Sequence, residues 1–200
     1  MSERFRIFAA FATAVAAWSS AIPCISQTPP APSEARSIRR IDQFTHAAAF
    51  LNLAQGTVRI VTIVPAHSSA SQGVIDTVAS ILRGNPSKRL RAYVILRGGT
   101  DDGLPLQAAV IAARASDPRI VYFWDPTGAV AQVWEPGSAG GAWLYDTSAK
   151  FSHQPPPASL VVAVPDGRGA ALDGSALRAT SAELVRRVEA KMELPNGGAQ

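Results

Sequence analysis

Three short runs of β-branched and aromatic residues, separated by segments with helical spacing, constrain this chain more than anything else in it. Residues 57–64 (TVRIVTIV), 90–96 (LRAYVIL) and 120–124 (IVYFW) are apolar on both faces. A strand reads that way when helices cover both sides of its sheet. Between the first two runs, Val74, Ile75, Val78, Ile81 and Leu82 recur at helical intervals up to the stop at Gly84-Asn85-Pro86. Between the second and third, residues 104–115 form another helical segment that ends before Asp117-Pro118. Upstream, Ile41, Phe44, Ala48 and Leu51 share one face of a predicted helix over residues 41–54. This β-α-β rhythm predicts parallel strands joined by crossovers.

The last third changes character. Trp143-Leu144-Tyr145 is a short strand candidate, followed by Pro155-Pro156-Pro157. Residues 160–164 (LVVAV) and 170–172 flank Asp166-Gly167-Arg168-Gly169, which predicts an antiparallel pair at the sheet edge. A final amphipathic helix is predicted over residues 181–194, with Ser181 as N-cap and Leu184, Val185, Val188 and Met192 turned inward.

The N-terminus carries a targeting pattern. Arg4 and Arg6 precede an apolar stretch over residues 7–18, too short for a comfortable membrane span, and Ser19-Ser20-Ala21 supplies small residues for cleavage. Residues 1–21 are therefore expected to be a signal peptide, with an uncleaved anchor as the alternative. Residues 22–37 are expected to be a Pro-rich disordered spacer, 38–194 the folded domain and 195–200 a loose tail. A lipoprotein is disfavoured because Ala21, Ile22 and Pro23 do not suit the approach to Cys24. The expected location is extracytoplasmic, periplasmic or secreted, with no membrane span in the mature protein.

With 200 residues, 47% of them hydrophobic, the chain has enough apolar material for one core. Its net charge of +4 comes from scattered basic residues rather than a stripe interleaved with aromatics, which argues against a nucleic-acid groove. Cys24 is the single cysteine, so residues 38–194 cannot form an internal disulfide, a zinc–thiolate site or a cysteine nucleophile. Residues 136–140 (PGSAG) lack the first glycine of a nucleophile elbow, and Gly167-Arg168-Gly169 lacks the third glycine of a dinucleotide fingerprint. No cofactor is expected.

The order of elements resembles the thioredoxin superfamily over roughly residues 38–194, and two local matches carry the resemblance. Residues 62–72 (TIVPAHSSASQ) look like the strand–loop–helix junction that holds the family's Cys-x-x-Cys motif, with Ser68 and Ser71 at the cysteine positions. Residues 157–167 (PASLVVAVPDG) are similar to the family's cis-proline followed by a strand and a glycine turn. The resemblance implies a thioredoxin-like three-layer α/β/α sandwich with a mixed central sheet. It places Pro157 across from Ser68, and puts Thr62 where the family commonly has a buried acid.

A serine hydroxyl is neither acidic nor polarisable enough to replace a thiolate, so the resemblance implies a redox-inactive member. The groove of redox-active relatives receives extended polypeptide. Here that implies a peptide- or protein-binding site at His67, Ser68, Ser69, Ala70, Ser71 and Pro157. The plainer reading is that Ser68 and Ser71 cap a helix. A different class of function, a histidine-dependent metallochaperone or non-thiol enzyme, would require His67 and His153 to approach each other beside the groove. No resident metal is expected, and whether the chain catalyses any other reaction is left open.

Overall fold

The computed structural model describes residues 38–66, 68–99, 117–134, 141–163 and 172–193, all within a compact unit spanning Ser33–Gln200. The expected signal peptide, the spacer, the 104–115 helix and residues 195–200 lie outside the described residues.

Among the described residues, six strands form one sheet. They are β1 (Arg39–Arg40), β2 (Val58–Pro65), β3 (Leu90–Arg97), β4 (Ile120–Asp125), β5 (Gly141–Tyr145) and β6 (Leu160–Ala163), in the spatial order β1-β4-β3-β2-β5-β6. The first four in that order are mutually parallel; β5 is antiparallel to β2, and β6 is antiparallel to β5. The fold is a mixed-sheet α/β sandwich of the thioredoxin-like kind.

Helices cover both faces, as the two-sided apolar strands require. On one face lie α2 (Ser69–Gly84) and α4 (Gly174–Glu193). Their Ile75, Val78, Leu82, Leu177 and Val185 pack on Val58, Ile60, Val64, Val94 and Leu96. On the other lie α1 (Phe44–Leu53) and α3 (Ala129–Trp134), packing Phe44, Leu51, Val130 and Trp134 on Val61, Ile63, Tyr93, Phe123 and Trp143. Burying each large aliphatic side chain of these two cores contributes about 1.5–3 kcal/mol.

Three sequence expectations change. The last helix starts at Gly174, where Asp173 Oδ1 accepts the Ser175 amide at 3.0 Å and its hydroxyl at 2.6 Å. Ser181 is therefore inside the helix and buried, its hydroxyl donating to the Arg178 carbonyl at 3.0 Å, and it is not the N-cap. Met192, expected inward, is 61% exposed, because the last turn of α4 runs beside a cavity rather than over the core. β6 pairs antiparallel with β5; the expected hairpin turn and residues 170–171 lie outside the described residues, and Leu172 is buried.

Candidate functional site

The carboxyl ends of β2, β3 and β4 lie side by side, with Pro65, Arg97 and Asp125 in register. In open α/β sheets this is the end where ligand sites form. The chain leaves β2 at Pro65, and the Ala66 amide donates to the Arg97 carbonyl at 2.9 Å. Ser68 stands one residue before α2, half-buried, and its carbonyl accepts the Ser71 amide at 3.1 Å. Ser71 is 1% exposed and its hydroxyl donates to the Pro65 carbonyl. That bond ties the first turn of α2 back to the strand it follows. Ser71 is thus a strap inside the helix rather than a cap, whereas Ser68 holds the N-cap position.

Ser69 and Ala70 belong to the first turn of α2, and His67 lies outside the described residues. Beneath the turn, Thr62 is fully buried and its hydroxyl has no hydrogen-bond partner among the described residues. It supplies no charge to the junction above it.

The neighbouring strand ends are built from polar contacts. Trp124 Nε1 donates to the Gly98 carbonyl at 3.2 Å, and the Arg40 guanidinium lies 5.3 Å from the centre of the Trp124 ring. Gly98 and Gly99 turn the chain with φ of +74° and +104°, a backbone that residues with a Cβ rarely adopt. Asp125 is completely buried at the start of α3: Oδ2 accepts the Ala131 amide at 2.8 Å, and Oδ1 has no partner of ordinary geometry. Burial pushes its pKa up, and the amides of the α3 first turn pull it down by less. The sequence held a signal for α3, since Asp125-Pro126-Thr127-Gly128 both stops a strand and opens a helix, but only its strand-ending half is read by propensity.

Pro157 is not part of this cluster. It precedes β6, whose first residue Leu160 pairs with Leu144, which pairs in turn with Ile60. Ile60 lies five residues before Pro65, roughly 16 Å away along the strand at ~3.3 Å per residue. The proline thus enters the sheet at the end opposite α2. The strand beside β2 is β5, beginning opposite Ile63 at Gly141, and it takes the place that the resemblance gave to β6. No peptide bond among the described residues is cis. His153, exposed in the loop between β5 and β6, also lies at the far end, away from Ala66. His67, the other half of the expected histidine pair, lies outside the described residues. No group of three or more His, Cys, Asp or Glu among the described residues stands together as a metal site.

At that far end sits a group that sequence reading passed over. Arg59, inside the β-branched run of β2, is completely buried. Its guanidinium donates to the carbonyls of Leu51 at 3.0 Å, Asp146 at 2.8 Å and Ala149 at 2.8 Å, and lies 5.2 Å from the centre of the Phe151 ring. Desolvation lowers its pKa from the ordinary arginine value. The role is structural: one cation closes three backbone acceptors where α1 meets the β5–β6 loop.

No protein-family profile and no curated protein sequence matches the chain. Solved structures do. A secreted Mycobacterium tuberculosis disulfide oxidoreductase homologous to E. coli DsbE aligns at a TM-score of 0.50 and 12% identity, over 66% of this chain and 86% of that one. An uncharacterised conserved protein from Geobacillus kaustophilus aligns at 0.51 and 14% identity, over 68% and 71%. A hypothetical protein from Sinorhizobium meliloti aligns at 0.50 and 13% identity, over 69% and 74%. The likeness agrees with the sheet order and layers in assigning a thioredoxin-like fold.

Proposed function

We propose that this chain is an exported, redox-inactive thioredoxin-like module that binds an extended peptide or protein segment at the junction of β2 and α2. The observation that carries the reading is the state of Ser68 and Ser71. They occupy the turn that follows the central strand, one with its hydroxyl fixed to Pro65, in a chain whose only cysteine is Cys24. Without a thiolate pair, neither mixed-disulfide formation nor its resolution is available there.

Binding at this junction would use the Ser69 and Ala70 amides of the α2 first turn, since the Ser71 amide donates to the Ser68 carbonyl, and the half-buried Ser68, next to the start of β5. His67 and Ala70 belong to the proposed site by their place in the same segment. Pro157 is left out of it. Export is supported by the basic and apolar leader pattern of residues 1–21 and by the likeness to a secreted structure. Among the described residues no helix is long and apolar enough to cross a membrane.

The test has two arms. In an insulin-reduction assay with dithiothreitol, the chain is expected to add nothing to the buffer rate; a rate increase would remove the redox-inactive reading. In the second arm a random decapeptide library is panned against the mature chain and the recovered peptides are titrated by fluorescence anisotropy. Ser68→Trp should weaken them at least tenfold while the thermal midpoint stays unchanged. Failure to enrich any peptide, or equal affinity for the Trp variant, would place function on another face.

A further inference from the structure

At the end of the sheet opposite the α2 junction, a cavity of about 470 Å³ opens between the last turns of α4, the start of β3 and the turn after β5. Its volume is within the range of small-molecule sites, about 300–1,000 Å³. The lining has two chemically distinct parts. Leu184, Val188 and Met192 form an apolar stripe along α4, and Met192 is 61% exposed despite its place on that stripe. Beside it stand the cations Arg89, Arg187 and Lys191 against a single carboxylate, Asp146.

The cations are not all neutralised by the protein. Arg187 is held by Glu183 at 2.8 Å, and Glu183 also takes Arg186. Glu189, on the same helix, accepts the Ser87 hydroxyl at 2.6 Å. Asp146 Oδ1 accepts the Ser148 amide and hydroxyl and the Ala149 amide, bonds that also keep it ionised. The Arg89 guanidinium and the Lys191 ammonium make no hydrogen bond or ion pair among the described residues. Gly56, with φ of +79°, lines the cavity beside Arg89; a Cβ there would stand 3.7 Å from the guanidinium, an ordinary contact.

We propose that this cavity is a binding site for an aliphatic monocarboxylate, with Arg89 and Lys191 holding the head and Leu184, Val188 and Met192 covering the chain. A guanidinium matches a carboxylate in a two-point fork, and an ammonium adds a point charge. The apolar stripe gives the ligand's methylenes a surface that a simple inorganic anion would leave uncovered. Two cations without a partner among the described residues, beside a partly buried apolar stripe that ends in the exposed Met192, suit a single anionic head on a hydrocarbon tail. They do not suit a neutral or cationic amphiphile.

The chain offers a direct reporter, because it has two methionines, Met1 and Met192. With methyl-13C methionine in the full chain, and Met192→Leu to assign the signal, decanoate is titrated below its micelle-forming concentration. The Met192 methyl resonance is expected to shift to saturation. Decanol and decyltrimethylammonium should bind at least tenfold more weakly, and Arg89→Gln and Lys191→Gln should each weaken decanoate at least tenfold. An unmoved Met192 signal, an equal response to decanol, or unchanged decanoate affinity in both charge variants would overturn the proposal. Lys191 is solvent-exposed on the helix surface, so its variant reads binding apart from folding.

Discussion

Asn52 and Phe151 exchange two hydrogen bonds: Asn52 Nδ2 donates to the Phe151 carbonyl at 2.7 Å, and the Phe151 backbone amide donates to Asn52 Oδ1 at 3.0 Å. The pair fastens the end of α1 to the β5–β6 loop. It also holds the Phe151 ring against Tyr145, with centroids 4.9 Å apart. Asn52→Asp keeps the acceptor, loses the donor, and sets a carboxylate against a carbonyl. A loss of about 2 kcal/mol is expected, the cost of leaving one partly buried acceptor unmet. Chemical denaturation of the variant checks it, and a wild-type midpoint would show that the loop is held by other means.

Arg59 closes three carbonyls at once, and no other side chain has the forked donors to do so. Arg59→Lys retains the charge but its single ammonium reaches fewer of the acceptors. Arg59→Met removes the charge and leaves all three unmet. Both variants are expected to lose about 3 kcal/mol or more, with Met no better than Lys despite its apolar fit. Urea unfolding measures this directly. A Met variant as stable as wild type would mean that the carbonyls find water once the cation is gone.

Strands β2, β3 and β4 and the first two helices are legible in the sequence because each is a local run of β-branched and aromatic residues or of helically spaced apolar ones, whereas the two-residue β1 at Arg39–Arg40 carries no such run. Phe44, Ala48 and Leu51 are buried where the helical spacing places them; Ile41 is buried too, but it precedes α1, its amide donating to the Trp124 carbonyl at 2.8 Å, so the helix starts three residues later than its spacing suggests. Arg59 was illegible because burial of a charge depends on carbonyls supplied by residues 51, 146 and 149, which no local pattern reveals. The different placement of Pro157 has a related cause. A proline before an apolar run suits either of the two antiparallel strands, and only the pairing of Gly141 with Ile63 decides that β5 flanks β2. Ser181 suited an N-cap until the turn at Asp173 moved the helix start seven residues upstream.

Asp125 predicts a pH signature. Its folded-state pKa is raised above the unfolded value of 3.8, chiefly by burial. The native state therefore binds the proton more tightly, and the stability this contributes is fully present below about pH 4. It is lost as pH rises through the folded value. Asp125→Asn keeps an oxygen for the Ala131 amide and carries no charge. The variant should gain stability relative to wild type between pH 4 and pH 7. Asp146, Asp173 and Glu183, whose pKa values are lowered, give the opposite slope but give it equally in both proteins. Paired urea titrations at several pH values isolate the difference, and a constant offset would mean that Asp125 titrates as in the unfolded chain.

Whether the α2 junction retains the geometry of a redox site is answerable by restoring the thiols. The Ser71 amide bonds to the Ser68 carbonyl at 3.1 Å, so the two residues are one turn apart at the start of a helix. Such a turn sets Cβ atoms about 5–6 Å apart, and rotation of the side chains brings sulfurs to bonding distance in a first turn that can tighten. In a Cys24→Ser background, Ser68→Cys with Ser71→Cys is expected to form an intramolecular disulfide on mild oxidation, read by intact mass after thiol blocking. The thiol introduced at position 68, half-exposed at the helix N-terminus, should be the more acidic of the two. Insulin reduction should then appear above the buffer rate. Thr62 carries no charge to relay a proton to the buried thiol at position 71, so adding Thr62→Asp should raise that rate further if the mutant folds. If the oxidised double variant still shows two free thiols, the serines occupy the junction without its redox geometry. The peptide-binding reading would then lose the structural premise on which it stands.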